Sequence, residues 1–257
     1  MTQPVLKLAK VIVDFSGFKA INQLDFSVQP NRVHFVIGPN GAGKTTLLDV
    51  ICGKTRATQG NIQLHGKREL SKMSENQIVH QGIARKFQAP SIFPQLKVIE
   101  NLEIAMKQKK GLFSILRAKW TKQEKDKIEE MLNLIGLEKV RNELAGSLAH
   151  GQKQWLEIAM VLIQEPDIIL LDEPIAGMSK KERDKTGELI TQIAKERAVL
   201  IVEHDMDFVK EYADVVTVMH EGQLLFEGSM EQVQNNSKVR EVYLGRKVES
   251  DVVNTGS

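Results

Sequence analysis

Gly38-Pro39-Asn40-Gly41-Ala42-Gly43-Lys44-Thr45 follows the spacing G-x-x-x-x-G-K-[ST]. Glycines at those points let backbone N–H groups curl around phosphate oxygens, and a helix starting at the loop's end aims its positive pole at them. In such a loop Lys44 reaches the β- and γ-phosphates, and the Thr45 hydroxyl binds Mg²⁺. A second constellation is Ile168-Ile169-Leu170-Leu171-Asp172-Glu173, an apolar run that stops at two carboxylates. A strand of this kind delivers Asp172 beside a metal and leaves Glu173 to polarise an attacking water. On its own an acidic pair after a strand is a solvated strand end; the phosphate loop changes its meaning. A third is Leu148-Ala149-His150-Gly151-Gln152, just before a helical stripe of Trp155, Ile158, Ala159 and Leu162. The stripe is core packing, while the glycine opens a helix N-terminus suited to an anion.

These groups need elements to hold them. Val33-His34-Phe35-Val36-Ile37 is a compact apolar run leading into the glycine loop, and Leu47, Leu48 and Ile51 mark a helix from about Lys44. Strand, loop and helix open an α/β unit. Upstream, Val11, Val13, Leu24, Phe26 and Val28 alternate as half-buried strands do, with Gly17 as the turn between them. The middle of the chain is helical: Leu102, Ala105 and Met106 share one face, as do Ile128, Met131, Leu132 and Ile135. Ala198-Val199-Leu200-Ile201-Val202 is a second doubly buried strand, and Asp214–Phe226 is a hairpin turning at Glu221-Gly222. From Lys247 the chain is polar and expected to fray.

In this order, the Gly38–Thr45 loop, Gln88, LAHGQ, the LLDEP run and His204 resemble the ATP-binding subunits of ABC transporters, over about residues 6–246. The resemblance implies an α/β P-loop NTPase (RecA-like) core, an antiparallel β subdomain built largely from the N-terminal segment, and a helical subdomain at about 89–148. The ATPase domain would span 1–246, with 247–257 as a tail. It implies ATP and Mg²⁺ as ligands and two copies packed head to tail. Each ATP would lie between one copy's loop, extended to Thr46, and the other's Leu148, Ala149, His150, Gly151 and Gln152. Gln88 would touch the metal and the attacking water, Glu173 would be the base, and His204 would contact the γ-phosphate. Phe15 falls where the family sets an aromatic ring against adenine, with packing in the β layer as its rival reading.

Three departures stand out. Ala149 replaces the serine of the usual LSGGQ, so one hydroxyl contact to phosphate is lost, while backbone N–H groups near Gly151 remain to serve. After Glu173 the loop reads Ala176-Gly177-Met178-Ser179 where the family places an aspartate. Asn31-Arg32 replaces a common Gly-Glu pair before the loop strand.

Within the family, the chain resembles the group serving branched-chain amino acids, related hydrophobic amino acids and urea, on its Ala176-Gly177-Met178 loop and its Val242-Tyr243-Leu244-Gly245 ending. Gly53-Lys54-Thr55-Arg56, Arg85-Lys86-Phe87-Gln88 and His150 lean toward urea or short-chain amide importers, with branched-chain amino acids as the alternative. Implied partners are a second ATPase subunit (the same chain or a paralogue), integral-membrane permeases and, indirectly, an extracytoplasmic solute-binding protein. An exporter ATPase and an ABC ATPase acting on nucleic acid are rivals; a single ATPase unit without sustained heptads disfavours the latter.

Composition bounds the rest. A net charge of +2 over 257 residues argues for no nucleic-acid partner. One cysteine, Cys52, makes no internal disulfide and suits a reducing compartment. No run approaches the roughly 18 consecutive apolar residues of a spanning helix, and the N-terminus lacks a signal peptide's apolar core. The expectation is a soluble subunit held at the cytoplasmic face of a membrane by its partners. The stretch Lys107–Lys122 carries six basic residues (Lys107, Lys109, Lys110, Arg117, Lys119, Lys122) and no acidic one. It reads either as a solvated helix face or as a surface near the membrane or permease.

Overall fold

The computed structural model describes residues 3–86, 92–107 and 120–242. Two sheets organise them. Strands β1 (Leu6–Phe15), β2 (Phe18–Val28), β4 (Gln59–Leu64) and β5 (Arg68–Glu69) form an antiparallel sheet in the order β2-β1-β4-β5. Strands β3 (Val33–Ile37), β6 (Ile83–Lys86), β7 (Ile168–Asp172), β8 (Ala198–Val202), β9 (Val215–His220) and β10 (Gln223–Gly228) form the second, in the order β10-β9-β3-β8-β7-β6. All its pairings are parallel except β9 with β10.

The period of two along each strand decides which core a side chain enters. Val33, Phe35, Ile37, Ile169, Leu171, Val199 and Ile201 join one cluster; Val36, Ile168, Leu170, Ala198, Leu200 and Val202 join the other. Strands β3, β7 and β8 are thus buried on both faces, which is why they read as unbroken apolar runs. The second cluster closes against the antiparallel sheet through Val11, Val13, Leu24, Phe26 and Val28, with helix α1 (Lys44–Ile51) between the layers.

Helices α3 (Val98–Lys107), α4 (Lys122–Ile135), α5 (His150–Leu162), α6 (Lys180–Ala194) and α7 (Met206–Tyr212) cover the first cluster; short helices α2 (Glu75–His80) and α8 (Met230–Asn235) complete the elements needed here. Among the described residues, no helix is long and apolar enough to cross a membrane.

Strands β4, β5 and β6 are additions to the sequence reading. The antiparallel sheet therefore takes residues 59–69 as well as the N-terminal hairpin.

Candidate functional site

Three of the motifs converge because parallel strands end together. The glycine loop follows β3, Glu173 follows β7, and Glu203-His204 follow β8, the strand between those two. Val36 and Asp172 are both in register with Val202. Glu173 N–H donates to the Val202 carbonyl at 2.9 Å, and Glu203 N–H to the Val36 carbonyl at 3.4 Å. The carboxyl edge of such a sheet is where open α/β folds place their ligands.

In the loop, Gly43 has φ 97° and a Cβ there would lie 2.5 Å from the Ala20 carbonyl oxygen; a Cβ at Gly38 would fall on the Met219 carbonyl. Backbone conformation and space both demand glycine, so the main chain can wrap closely around a ligand. Gly43 is the N-cap of α1 and brings no capping side chain, so the helix presents its first N–H groups at the loop. Lys44 Nζ donates to the carbonyls of Gly38 (2.7 Å) and Pro39 (3.1 Å), which holds the ammonium over the loop. Asn40, Gly41 and Thr45 are exposed, Thr46 is half-buried and Ala42 is buried.

Asp172 is 3% exposed. One oxygen, Oδ2, accepts from Arg85 Nη2 at 3.1 Å; the other, Oδ1, is buried without a hydrogen-bond partner. Burial pushes its carboxyl above the usual range, against the pull of the Arg85 guanidinium. Arg85 also pairs with Asp49 on α1 and so joins β6, β7 and the helix after the loop. A buried, unpartnered oxygen fits a cation, and Thr45 lies in the first turn of α1. Among the described residues, no three His, Cys, Asp or Glu side chains could hold a metal by themselves.

Glu173 is half-exposed and sits at φ 47°, a left-handed conformation that costs a non-glycine residue on the order of 1–3 kcal/mol. Its carboxylate lies 3.4 Å from His204 Nδ1. Beneath them Glu203 is buried and accepts from the N–H groups of His204 (3.0 Å) and Asp205 (3.4 Å). Burial raises the Glu203 carboxyl, and those two donors offset part of the rise.

The Leu148–Gln152 segment is built against a different neighbour. Ala149, the N-cap of α5, has no side-chain acceptor; the cap comes from Gln152, whose Oε1 accepts from Ala149 N–H at 3.0 Å. His150 Nε2 meets the Ala176 carbonyl at 3.1 Å, and Gly151 N–H donates to Glu182 Oε1 at 3.2 Å. Helix α5 is further anchored by Trp155 Nε1, which donates to Thr186 Oγ1 at 2.9 Å. The segment is therefore tied to the loop after Glu173 and to α6.

Phe15 and Phe18 face each other across the β1–β2 turn and expose 52% and 66% of their surfaces. The hairpin passes the glycine loop, since the Ala20 carbonyl lies against Gly43. Gln88, most of the basic stretch and Tyr243-Leu244-Gly245 lie outside the described residues. Sequence reasoning gave no role to Arg85, Glu203 or the buried pair Lys86–Glu157. The signal for Arg85 and Lys86 was two cations inside a segment that must pair with an apolar strand.

Comparison with known proteins points to one family. The family model described as "ABC transporter" matches residues 21–176, and one described as "Branched-chain amino acid ATP-binding cassette transporter" matches residues 223–249. The chain is similar to the high-affinity branched-chain amino acid transport ATP-binding protein LivG of Escherichia coli K12. The two are 36% identical over 254 residues, covering 95% of this chain and 99% of that one. It is also similar to the corresponding protein BraF of Pseudomonas aeruginosa, at 34% identity with 95% and 99% covered. Among solved structures, the ADP conformation of MJ1267, an ATP-binding cassette of an ABC transporter, matches with a TM-score of 0.81 and 31% identity, covering 95% of this chain and all of that one. With its fold, its phosphate loop and these relatives in agreement, the chain belongs to the ABC transporter ATP-binding family, whose cassettes hydrolyse ATP to drive transport.

Proposed function

We propose that this chain is the ATP-hydrolysing subunit of an importer for branched-chain or related hydrophobic amino acids. The observation that carries the ATPase reading is the convergence of the glycine loop, Asp172-Glu173 and His204 at one sheet edge. The solute follows from the relatives, whose names specify branched-chain amino acids, and from the match over residues 223–249. Those names move the reading away from urea, toward which the residues around Arg85 and His150 had leaned. The fold sets no solute by itself.

The glycine-loop N–H groups and Lys44 bind the phosphates of ATP, and Phe15 stacks on the adenine. Mg²⁺ would be held by Thr45, Asp172 and Gln88, where it would neutralise phosphate charge. Glu173 accepts a proton from water as the water oxygen attacks the γ-phosphorus; the bond to the ADP oxygen breaks and its electron pair leaves with ADP. His204 contacts the γ-phosphate from the next strand. A second ATPase subunit, this chain or a paralogue, closes the site with its Leu148–Gln152 segment. Binding of ATP in that closed pair biases the attached permeases, which receive solute from a binding protein. The 89–148 region acts as the helical subdomain facing those permeases, and the subunit works peripherally at the cytoplasmic face.

The test is Glu173→Gln. Loss of the base slows phosphate release roughly 10²–10⁴-fold while ATP still binds and the dimer persists. Near-normal turnover overturns the assignment. Vesicles containing the complete importer separate the solutes: ATP-driven leucine uptake supports the reading, and urea uptake alone refutes it.

A further inference from the structure

Lys86 and Glu157 form an ion pair at 3.3 Å, with side chains 3% and 4% exposed. Lys86 ends β6, in register with Leu171, the residue before Asp172. Glu157 lies in α5, six residues beyond Gly151, or about 9 Å along the helix. Desolvating two opposite charges is costly, and apolar side chains of similar size often serve stability as well or better. A buried pair in an otherwise apolar stripe therefore has its clearest use in fixing register, because it is directional where Ile158 and Leu162 are not.

Helix α5 has a second polar anchor on its other side. Trp155 donates to Thr186 on α6, and Lys185 Nζ stands 3.9 Å from the Trp155 ring centroid. One anchor ties the helix to α6, and the other ties it to β6, the strand beside the one that ends in Asp172.

We infer that Lys86 and Glu157 are positioning residues that set the axial placement of α5, and with it the Ala149–Gln152 tip offered to the nucleotide of a second subunit. This rests on the shared-site reading above. Because β6 stands three places from β3, the strand that feeds the glycine loop, the pair governs how well the tip closes the chamber and not how tightly a single copy holds nucleotide.

The test is the double variant Lys86→Met with Glu157→Met in the full chain. Three quantities are measured: thermal midpoint, affinity for a fluorescent ATP analogue, and steady-state kcat and KM at saturating protein. The expected result is a midpoint at or above the parent's, unchanged analogue affinity, and kcat lowered about tenfold with KM little altered. Parent-like kcat in the folded double variant overturns the inference. A midpoint well below the parent's also overturns it, by placing the pair among contacts that merely stabilise the fold. Failure of the shared-site reading shows separately, as turnover of the parent that does not depend on its concentration.

Discussion

Lowering the pH should weaken the sheet through a single buried imidazole. His34 is 2% exposed on β3, the strand that feeds the glycine loop. Its Nε2 lies 2.8 Å from Thr217 Oγ1, and that hydroxyl donates to Glu227 Oε2 at 2.7 Å. A hydroxyl has one proton, so Thr217 must accept from His34, which places the imidazole hydrogen on Nε2 in the neutral tautomer. Burial pulls the imidazole down from 6.5 to about 4. In the unfolded chain it protonates near 6.5, so between these values the unfolded state binds more protons and stability falls as pH falls. The contribution is intact above pH 6.5; by pH 5 it has lost roughly 2 kcal/mol, and below pH 4 about 3 kcal/mol. The Glu227 carboxylate, 3.7 Å from Nε2, makes these upper values. The assay is urea unfolding at pH 7.5, 6 and 5 for the parent and for His34→Gln, which keeps a donor for Thr217 but does not titrate. Groups that do not interact with His34 cancel in the comparison. Parent and variant losing stability in parallel from pH 7.5 to 5 would refute the reasoning.

Other outcomes follow from the site. Gly43→Ala sets a methyl 2.5 Å from the Ala20 carbonyl at φ 97° and should cost more than about 2 kcal/mol, with loss of nucleotide binding. Gly41→Ala, also at positive φ but with nothing within 4 Å of its added methyl, should cost only about 1 kcal/mol; urea midpoints compare the two. Phe15→Ala should raise the KM for ATP roughly three- to tenfold through lost stacking, with little change in thermal midpoint because the ring is half outside the fold. Chelating Mg²⁺ should stop phosphate release, and Asp172→Asn should raise the Mg²⁺ concentration for half-maximal turnover at least about tenfold, read by titration.

What was legible in the sequence was whatever burial writes as a pattern. Val33–Ile37, Ile168–Asp172 and Ala198–Val202 are buried on both faces, so each stands out as an apolar run of strand length. The hairpin at Glu221-Gly222 was legible from its turn pair, at φ 48° and 74°. Strand β4 was not: Gln59, Gly60 and Asn61 are exposed, leaving only Ile62 and Leu64 to signal a strand that the distant β1 stabilises. Strand β6 was hidden because half of it is cationic, and those charges make sense only once Asp49, Asp172 and Glu157 have been brought to them. The shelf under the site was illegible for the same reason. Glu203 next to His204 looks like one more polar residue at a strand end until the fold buries it.

The distribution of buried charge locates the site without reference to any motif. The central strands are apolar, and a charged side chain within them costs several kcal/mol unless it is paired or hydrogen-bonded. Among the described residues the buried acidic, lysine and histidine residues are His34, Lys86, Glu157, Asp172 and Glu203, and the Arg85 side chain is 5% exposed beside Asp172. Asp172 and Glu203 stand side by side at the carboxyl ends of β7 and β8, each with one oxygen left without a partner. Just above them Glu173 holds a left-handed backbone conformation. Two underpaired buried anions and one strained residue at a single edge are a concentration of unfavourable energy that packing alone does not require. A sheet selected only for stability would carry Asn or an aliphatic residue there. The edge is instead prepared for positive charge to arrive with its ligand, so the nucleotide that completes the site should also stabilise the fold.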